Sequence, residues 1–121
     1  MRKTLLTAIA AMAIATTFAL ADADVMASRY GNTTVSTDAK GAQTKVYYNA
    51  DHTFTWKSGD TGGKGTWKVE NGKICLTYEG TLPAGFTNPF CAPVVERKVG
   101  DNWSVGEGDN KRTVTVVKGI Q

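Results

Sequence analysis

The stretch Gly65-Thr-Trp-Lys-Val-Glu-Asn-Gly-Lys-Ile-Cys-Leu-Thr-Tyr78 decides the fold of this chain. Apolar and polar residues alternate on both sides of Asn71-Gly72, a dipeptide that is typical of the two-residue turn of a β-hairpin. Counting outward from that turn pairs Trp67 with Leu76. The stretch therefore predicts two antiparallel strands in a defined register.

That register sorts the side chains of the hairpin into two faces. The apolar face, predicted to point inward, carries Trp67, Val69, Ile74, Leu76 and Tyr78. The opposite face is polar and carries Cys75, which we therefore expect on the outside of the sheet. The run Thr53-Phe-Thr-Trp-Lys57 alternates in the same way and adds Phe54 and Trp56 to the inner face.

Short β-rich runs alternate with turn residues along the rest of the chain, at intervals of about ten residues. The connections are too short for the helices that parallel strands need. We therefore predict an all-β domain, a single antiparallel up-and-down β-barrel of about eight strands or a strongly curved β-sandwich. The predicted strands are Asn32–Asp38, Thr44–Ala50, Thr53–Lys57, Gly65–Glu70, Lys73–Glu79, Pro93–Val99, Trp103–Gly106 and Arg112–Lys118.

The first residues have the pattern of a secretory signal peptide. Arg2 and Lys3 give a basic start, Leu5 to Leu20 is an apolar run, and small residues allow cleavage after Ala21 or Ala23. We divide the chain into a signal peptide, residues 1–23, and a barrel domain, residues 24–121. The expected location is the periplasm or the medium outside the cell.

The charge of the chain argues against two classes of partner. Removing residues 1–23 lowers the formal net charge of +3 by one, and the remaining charges are scattered along the chain. Nucleic-acid and membrane surfaces are bound by clustered basic residues. We expect no nucleic-acid partner, no membrane association after cleavage of the signal peptide, and a monomer.

Cys75 and Cys91 are the two cysteines of the chain. A pair in an exported protein favours one disulfide, which would contribute about 3 kcal/mol in the chain-entropy model. Two free thiols are the alternative. The disulfide would hold the segment that follows Cys75 against the outer wall or rim of the barrel.

The segment Gly80–Pro93 contains all three prolines of the chain. Apolar side chains on a stiffened, disulfide-tied loop lose little entropy when they meet a partner, so this loop is the leading candidate for a recognition surface. The candidate binding residues are Leu82, Phe86, Asn88 and Phe90. In the alternative, Phe86 and Phe90 fold back and cap one end of the barrel.

Catalytic and cofactor motifs are weak in this sequence. Asp51-His52 lies at a predicted turn with no nucleophile or metal-ligand cluster beside it. Residues 58–66 are rich in glycine, but they lack the phosphate-loop pattern and precede a strand, so we interpret them as a flexible hairpin loop. Glu70, Glu79 and Glu96 are predicted on solvated strand surfaces. We expect no enzyme activity, no metal and no cofactor.

The elements Gly65-Thr-Trp67, Asn71-Gly72 and Ile74-Cys75-Leu76 resemble those of short exported bacterial β-barrel proteins. The Gly-x-Trp element is similar to that of lipocalin-like and avidin-like barrels, which include small periplasmic inhibitors of proteases and of lysozyme. In lipocalins this element lies at the start of the barrel, whereas here it is on the fourth predicted strand. The resemblance implies a fold and a compartment and transfers no site residue.

Two functions follow as hypotheses, both of them non-catalytic. The first is a protein-binding or inhibitor-like module that uses the loop 80–93, with the arm Asp24–Gly31 as a second contact. The second is a carrier of a small apolar ligand in the barrel interior. The residues expected to line that interior are Phe54, Trp56, Trp67, Leu76 and Tyr78.

Overall fold

The structure, a computed structural model, describes residues 24–121. The predicted signal peptide lies outside these residues. The described chain has two short 3₁₀ turns, Ala27–Arg29 and Gly108–Asn110, and no α-helix. Its strands are β1 (Thr33–Thr37), β2 (Gln43–Tyr48), β3 (Thr53–Ser58), β4 (Thr61–Glu70), β5 (Lys73–Glu79), β6 (Phe90–Pro93), β7 (Asn102–Val105) and β8 (Arg112–Val117).

All strand pairs are antiparallel, and the strands follow the order β6-β5-β4-β3-β2-β1-β8-β7. Because β8 pairs with β1, this is the cyclic order of an up-and-down barrel. The barrel is nearly closed, and its two edges are β6 and β7. The segment 94–101 joins these edge strands. The predicted antiparallel β-barrel of about eight strands is confirmed.

The register of the β4–β5 hairpin is the one that Asn71-Gly72 predicts. Trp67 lies opposite Leu76, and Lys68 lies opposite Cys75. Val69, which the alternation directs inward, is 36% exposed, whereas Ile74, which lies opposite it, is buried.

Cys75 and Cys91 form a disulfide, as predicted. The two residues face each other across the β5–β6 pair, with their Cα atoms 4.1 Å apart. Cys75 is next to Lys68 on the outer face of the sheet, and Cys91 is exposed. The disulfide thus ties the edge strand β6 to β5 from outside the barrel.

The predicted sixth strand, Pro93–Val99, is wrong in position, since β6 is Phe90–Pro93. The register explains the difference. Pro93 lies opposite Lys73, where β5 begins, so the residues after Pro93 have no strand to pair with. The Val94 backbone N–H instead donates to the carbonyl of Gly72, and the Val94 side chain is buried.

The predicted hairpin at residues 58–66 is present, but the loop predicted there is too long. Strands β3 and β4 continue through it until Ser58 lies opposite Thr61. Glycines are needed here because aromatic rings cross the strand. A Cβ at Gly63 would lie 2.8 Å from Trp56 Nε1, and one at Gly65 would lie 2.7 Å from the Phe54 ring and 2.1 Å from the Thr77 carbonyl.

The core fills most of the barrel on the side of β2 to β5. Met26 of the N-terminal arm is fully buried in it, and Tyr30 packs against it. The buried cluster comprises Met26, Val46, Tyr48, Phe54, Trp56, Trp67, Ile74, Leu76, Tyr78 and Val94. The space that remains lies toward β1, β7 and β8.

Candidate functional site

A cavity of about 60 Å³ lies beside the core and reaches both edge strands. That volume exceeds the roughly 10–15 Å³ that one water needs and is far below the roughly 300–1,000 Å³ of a drug-sized site. Its apolar lining comes from the core, the 80–93 loop and the strands β6 to β8. These side chains are Val46, Ile74, Leu76, Phe86, Phe90, Ala92, Pro93, Trp103, Val105 and Val114.

The polar part of the cavity lining carries two arginines. It consists of Thr34 and Ser36 of β1, Arg112 of β8 and Arg29 of the N-terminal 3₁₀ turn, with Tyr48 alongside. Arg29 is only 4% exposed and Arg112 only 8%. The cavity lining therefore combines apolar side chains with two buried arginines.

Arg112 is held between β1 and the 80–93 loop. Its Nε donates a hydrogen bond to Ser36 Oγ at 2.7 Å. Its guanidinium lies 4.3 Å from the centre of the Phe86 ring, a cation–π distance. Burial lowers the pKa of Arg112, and the negative charge of Asp38 opposes that shift.

Arg29 shares the Trp103 ring with a second arginine. The Arg29 guanidinium lies 5.1 Å from the ring centre and that of Arg97 lies 4.2 Å from it. Burial lowers the pKa of Arg29, the interaction with Tyr48 opposes that shift, and the like charge of Arg97 adds to it. Arg29 Nε and Thr34 Oγ1 are both buried without a hydrogen-bond partner in the structure.

The apolar side chains of the 80–93 loop turn toward the barrel. Leu82, Phe86 and Phe90 are half-buried and pack against the core. The Phe86 and Phe90 ring centres are 4.9 Å apart, and Phe86 lies 6.0 Å from the ring of Tyr78. The two phenylalanines thus form part of the cavity wall, an arrangement close to the capping alternative.

Asn88, the fourth loop residue singled out from the sequence, contacts the end of β5. Its side-chain oxygen accepts a hydrogen bond from the Tyr78 backbone N–H at 2.9 Å, and its side-chain nitrogen donates to the Tyr78 carbonyl at 3.0 Å. Because both backbone groups are satisfied as a paired strand would satisfy them, Asn88 fixes the loop to the sheet.

The five residues expected to line an interior ligand site are all buried. Leu76 lines the cavity, whereas Phe54, Trp56, Trp67 and Tyr78 belong to the packed core beside it. The cavity lies beside those aromatic residues, on the side of β1, β7 and β8.

His52 has a packing contact with the core. Its ring stacks on Trp67 with centres 4.2 Å apart, and Trp67 Nε1 donates to the carbonyls of Asn49 and Thr53. Asp51 accepts hydrogen bonds from the hydroxyl and backbone N–H of Thr53, which lower its pKa. The Asp51-His52 turn therefore holds one end of β3.

The described part of the chain has neither a metal-binding cluster nor a membrane-spanning helix. Residues 24–121 contain no group of three or more His, Cys, Asp or Glu side chains that could hold a metal ion. Over the same residues, no helix has the length and apolar character needed to cross a membrane.

The two arginines that line the cavity, Arg29 and Arg112, were not predicted from the sequence. Arg112 alternates with Val114 and Val116 on β8, a period of two that places all three on one face, so a signal for an inward arginine was present. For Arg29 no such signal exists, because the short arm that carries it follows no strand or helix period.

Comparison with known protein families, curated proteins and solved structures gave no match to this chain.

Proposed function

We propose that this protein is a non-catalytic, exported binding protein that holds a small ligand in the interior of its barrel. The observation that carries the proposal is the cavity of about 60 Å³ between the apolar core and the strands β1, β7 and β8. A concave, mainly apolar site with a few polar groups is the usual form of a small-molecule site. The disulfide is compatible with export, because disulfides persist in oxidising compartments.

The loop 80–93 supports a ligand in the interior better than it supports a protein partner. A recognition surface for a protein would need Phe86 and Phe90 exposed, and both rings are half-buried against the barrel. If the ligand lies in the interior, these rings contact it together with Leu76 and Val105. The size of the space restricts the ligand to a slender or compact molecule.

Titration with a neutral probe tests this function. Hexan-1-ol, added to the isotope-labelled exported protein, should shift the amide and methyl NMR signals of Leu76, Val105 and Val114 and leave those of the outer face unchanged. No saturable shift at these residues would contradict an interior site for slender ligands.

A cavity-filling variant adds a matched control. Ala92 lines the cavity from the edge strand β6, so Ala92→Leu adds three carbon atoms to the cavity wall and should obstruct the probe and abolish the shifts. Ala39 is exposed, so Ala39→Leu adds the same atoms outside and should bind as the unmodified protein does. Equal binding by the two variants would place the ligand outside the cavity.

A further inference from the structure

The interior of the barrel contains positive charge that no carboxylate of residues 24–121 neutralises within ion-pair distance. Arg29 and Arg112 are both buried and both line the cavity. Within residues 24–121, the one ion pair closer than 4 Å joins Lys68 and Glu70 on the outer surface. Buried charges in proteins are normally paired, because leaving water is costly for an ion without a partner. Within the described residues, the two arginines of the cavity thus lack a negatively charged partner at ion-pair distance.

Arg29 is the less satisfied of the two arginines. Its Nε is buried and has no hydrogen-bond partner among the described residues, and the same holds for the hydroxyl of Thr34, which also lines the cavity. Its side chain is 4% exposed. The guanidinium of Arg97 on the Trp103 ring adds a second positive charge next to it. An anion at this point would gain hydrogen bonds and relieve the repulsion between the two arginines.

Arg112 is better supported than Arg29. It donates to Ser36 and stacks on Phe86, and Asp38 acts on it from beyond ion-pair distance. Arg112 therefore adds positive potential to the cavity. Because it already has partners in the protein, it has less to gain from a bound anion than Arg29 has.

We propose that the ligand is a small organic anion, a carboxylate with a short apolar tail, whose charged group binds Arg29 and Thr34. The tail lies against Ile74, Leu76 and Phe90, which form the apolar wall of the same cavity. Arg112 contributes to the affinity through its charge. This inference rests on the proposed function, since it names the chemical class of the ligand in that interior site.

A matched pair of probes tests the charge without altering the protein. Hexanoate and hexan-1-ol have tails of the same length and differ in the head group, and at about pH 7 the acid is ionised. NMR titration of the exported protein should give a Kd about tenfold lower for hexanoate than for the alcohol, because hydrogen bonds to charged groups are the stronger ones. Sodium chloride at the same concentration controls for ionic strength.

Two outcomes of the probe experiment separate the two proposals. If hexan-1-ol binds in the cavity as tightly as hexanoate, the interior site stands and the anionic ligand is refuted. If neither probe shifts the cavity signals, the proposed function fails together with the inference.

Variants then identify the anchoring residue. Arg29→Gln should raise the Kd of hexanoate about tenfold and leave that of hexan-1-ol within about twofold, because only the charged contact is removed. Arg112→Gln should have a smaller effect. Lys111→Gln is the control, since it removes the same charge from an exposed neighbour of Arg112.

A second variant keeps the test of Arg29 valid if Arg29→Gln is unstable. Arg29→Met replaces the buried cation by an apolar side chain of similar length, a change that proteins often tolerate, and it should lose the preference for hexanoate in the same way. A preference unchanged in both Arg29 variants, or lost equally in Lys111→Gln, would overturn the assignment of Arg29.

Discussion

The guanidinium of Arg112 lies 4.3 Å from the centre of the Phe86 ring, and this contact joins the last strand of the barrel to the 80–93 loop. Phe86 in turn packs on Phe90 and Tyr78. The loop is therefore part of the barrel wall on the side where the cavity lies.

Phe86→Ala tests that role of the loop. Because the ring is half-buried, the substitution should lower the free energy of unfolding by about 2 kcal/mol, less than the roughly 3–5 kcal/mol of a fully buried phenylalanine. Val95 is 53% exposed, so Val95→Ala should change stability by less than about 0.5 kcal/mol. Equal denaturation midpoints for the two variants would show that the Phe86 ring is free in solution.

Trp67 tests the facing of the hairpin that decides the fold. It is buried, and its Nε1 donates to two carbonyls, so Trp67→Ala should cost about 3–5 kcal/mol in a denaturant titration. Lys68 points outward and pairs with Glu70 at 3.5 Å, so Lys68→Ala should cost about 0.5 kcal/mol or less. A larger loss of stability in Lys68→Ala than in Trp67→Ala would show that the two faces of the hairpin are assigned the wrong way round.

Asn88→Ala tests the connection between the loop and β5. The substitution removes both hydrogen bonds to the Tyr78 backbone and should lower stability by about 1–3 kcal/mol. It should also increase hydrogen exchange at the Tyr78 amide. Asn102→Ala, at an exposed position of β7, is the control and should change neither quantity. An unchanged exchange rate at Tyr78 in Asn88→Ala would contradict the contact.

The disulfide gives a prediction that needs no substitution. The unfolded, unreduced protein, prepared as residues 24–121, should contain no titratable thiol, and reduction should lower its stability by about 3 kcal/mol. A double variant, Cys75→Ser with Cys91→Ser, is the control, because its stability should not respond to the reductant. Free thiols in the unreduced protein would contradict the pairing.

The sequence predicted the parts of the fold that local signals determine. Asn71-Gly72 set the turn and the register of the β4–β5 hairpin, and the alternation of Phe54 with Trp56 set the inner face of β3. The position of β6 was not predictable in this way. It depends on where Cys91 meets Cys75 and on where β5 begins, which are contacts between distant residues.

The residues of the candidate site were likewise predictable only in part. The loop residues Phe86 and Phe90 stood out by composition, and the structure gives them a place in the cavity wall. Arg29 could not be found from the sequence. Its burial follows from the way the arm packs with Met26 in the core, and no period in the sequence reports that packing.

The most direct test of the central claim is the location of a bound ligand by intermolecular nuclear Overhauser effects. The experiment uses the protein as residues 24–121 and whichever of hexanoate and hexan-1-ol binds it more tightly. The account predicts contacts from the ligand chain to the methyl groups of Leu76 and Val114 inside the barrel. Contacts to the exposed Val95 and Val99 instead, or no contacts at a saturating concentration, would contradict a binding site in the interior.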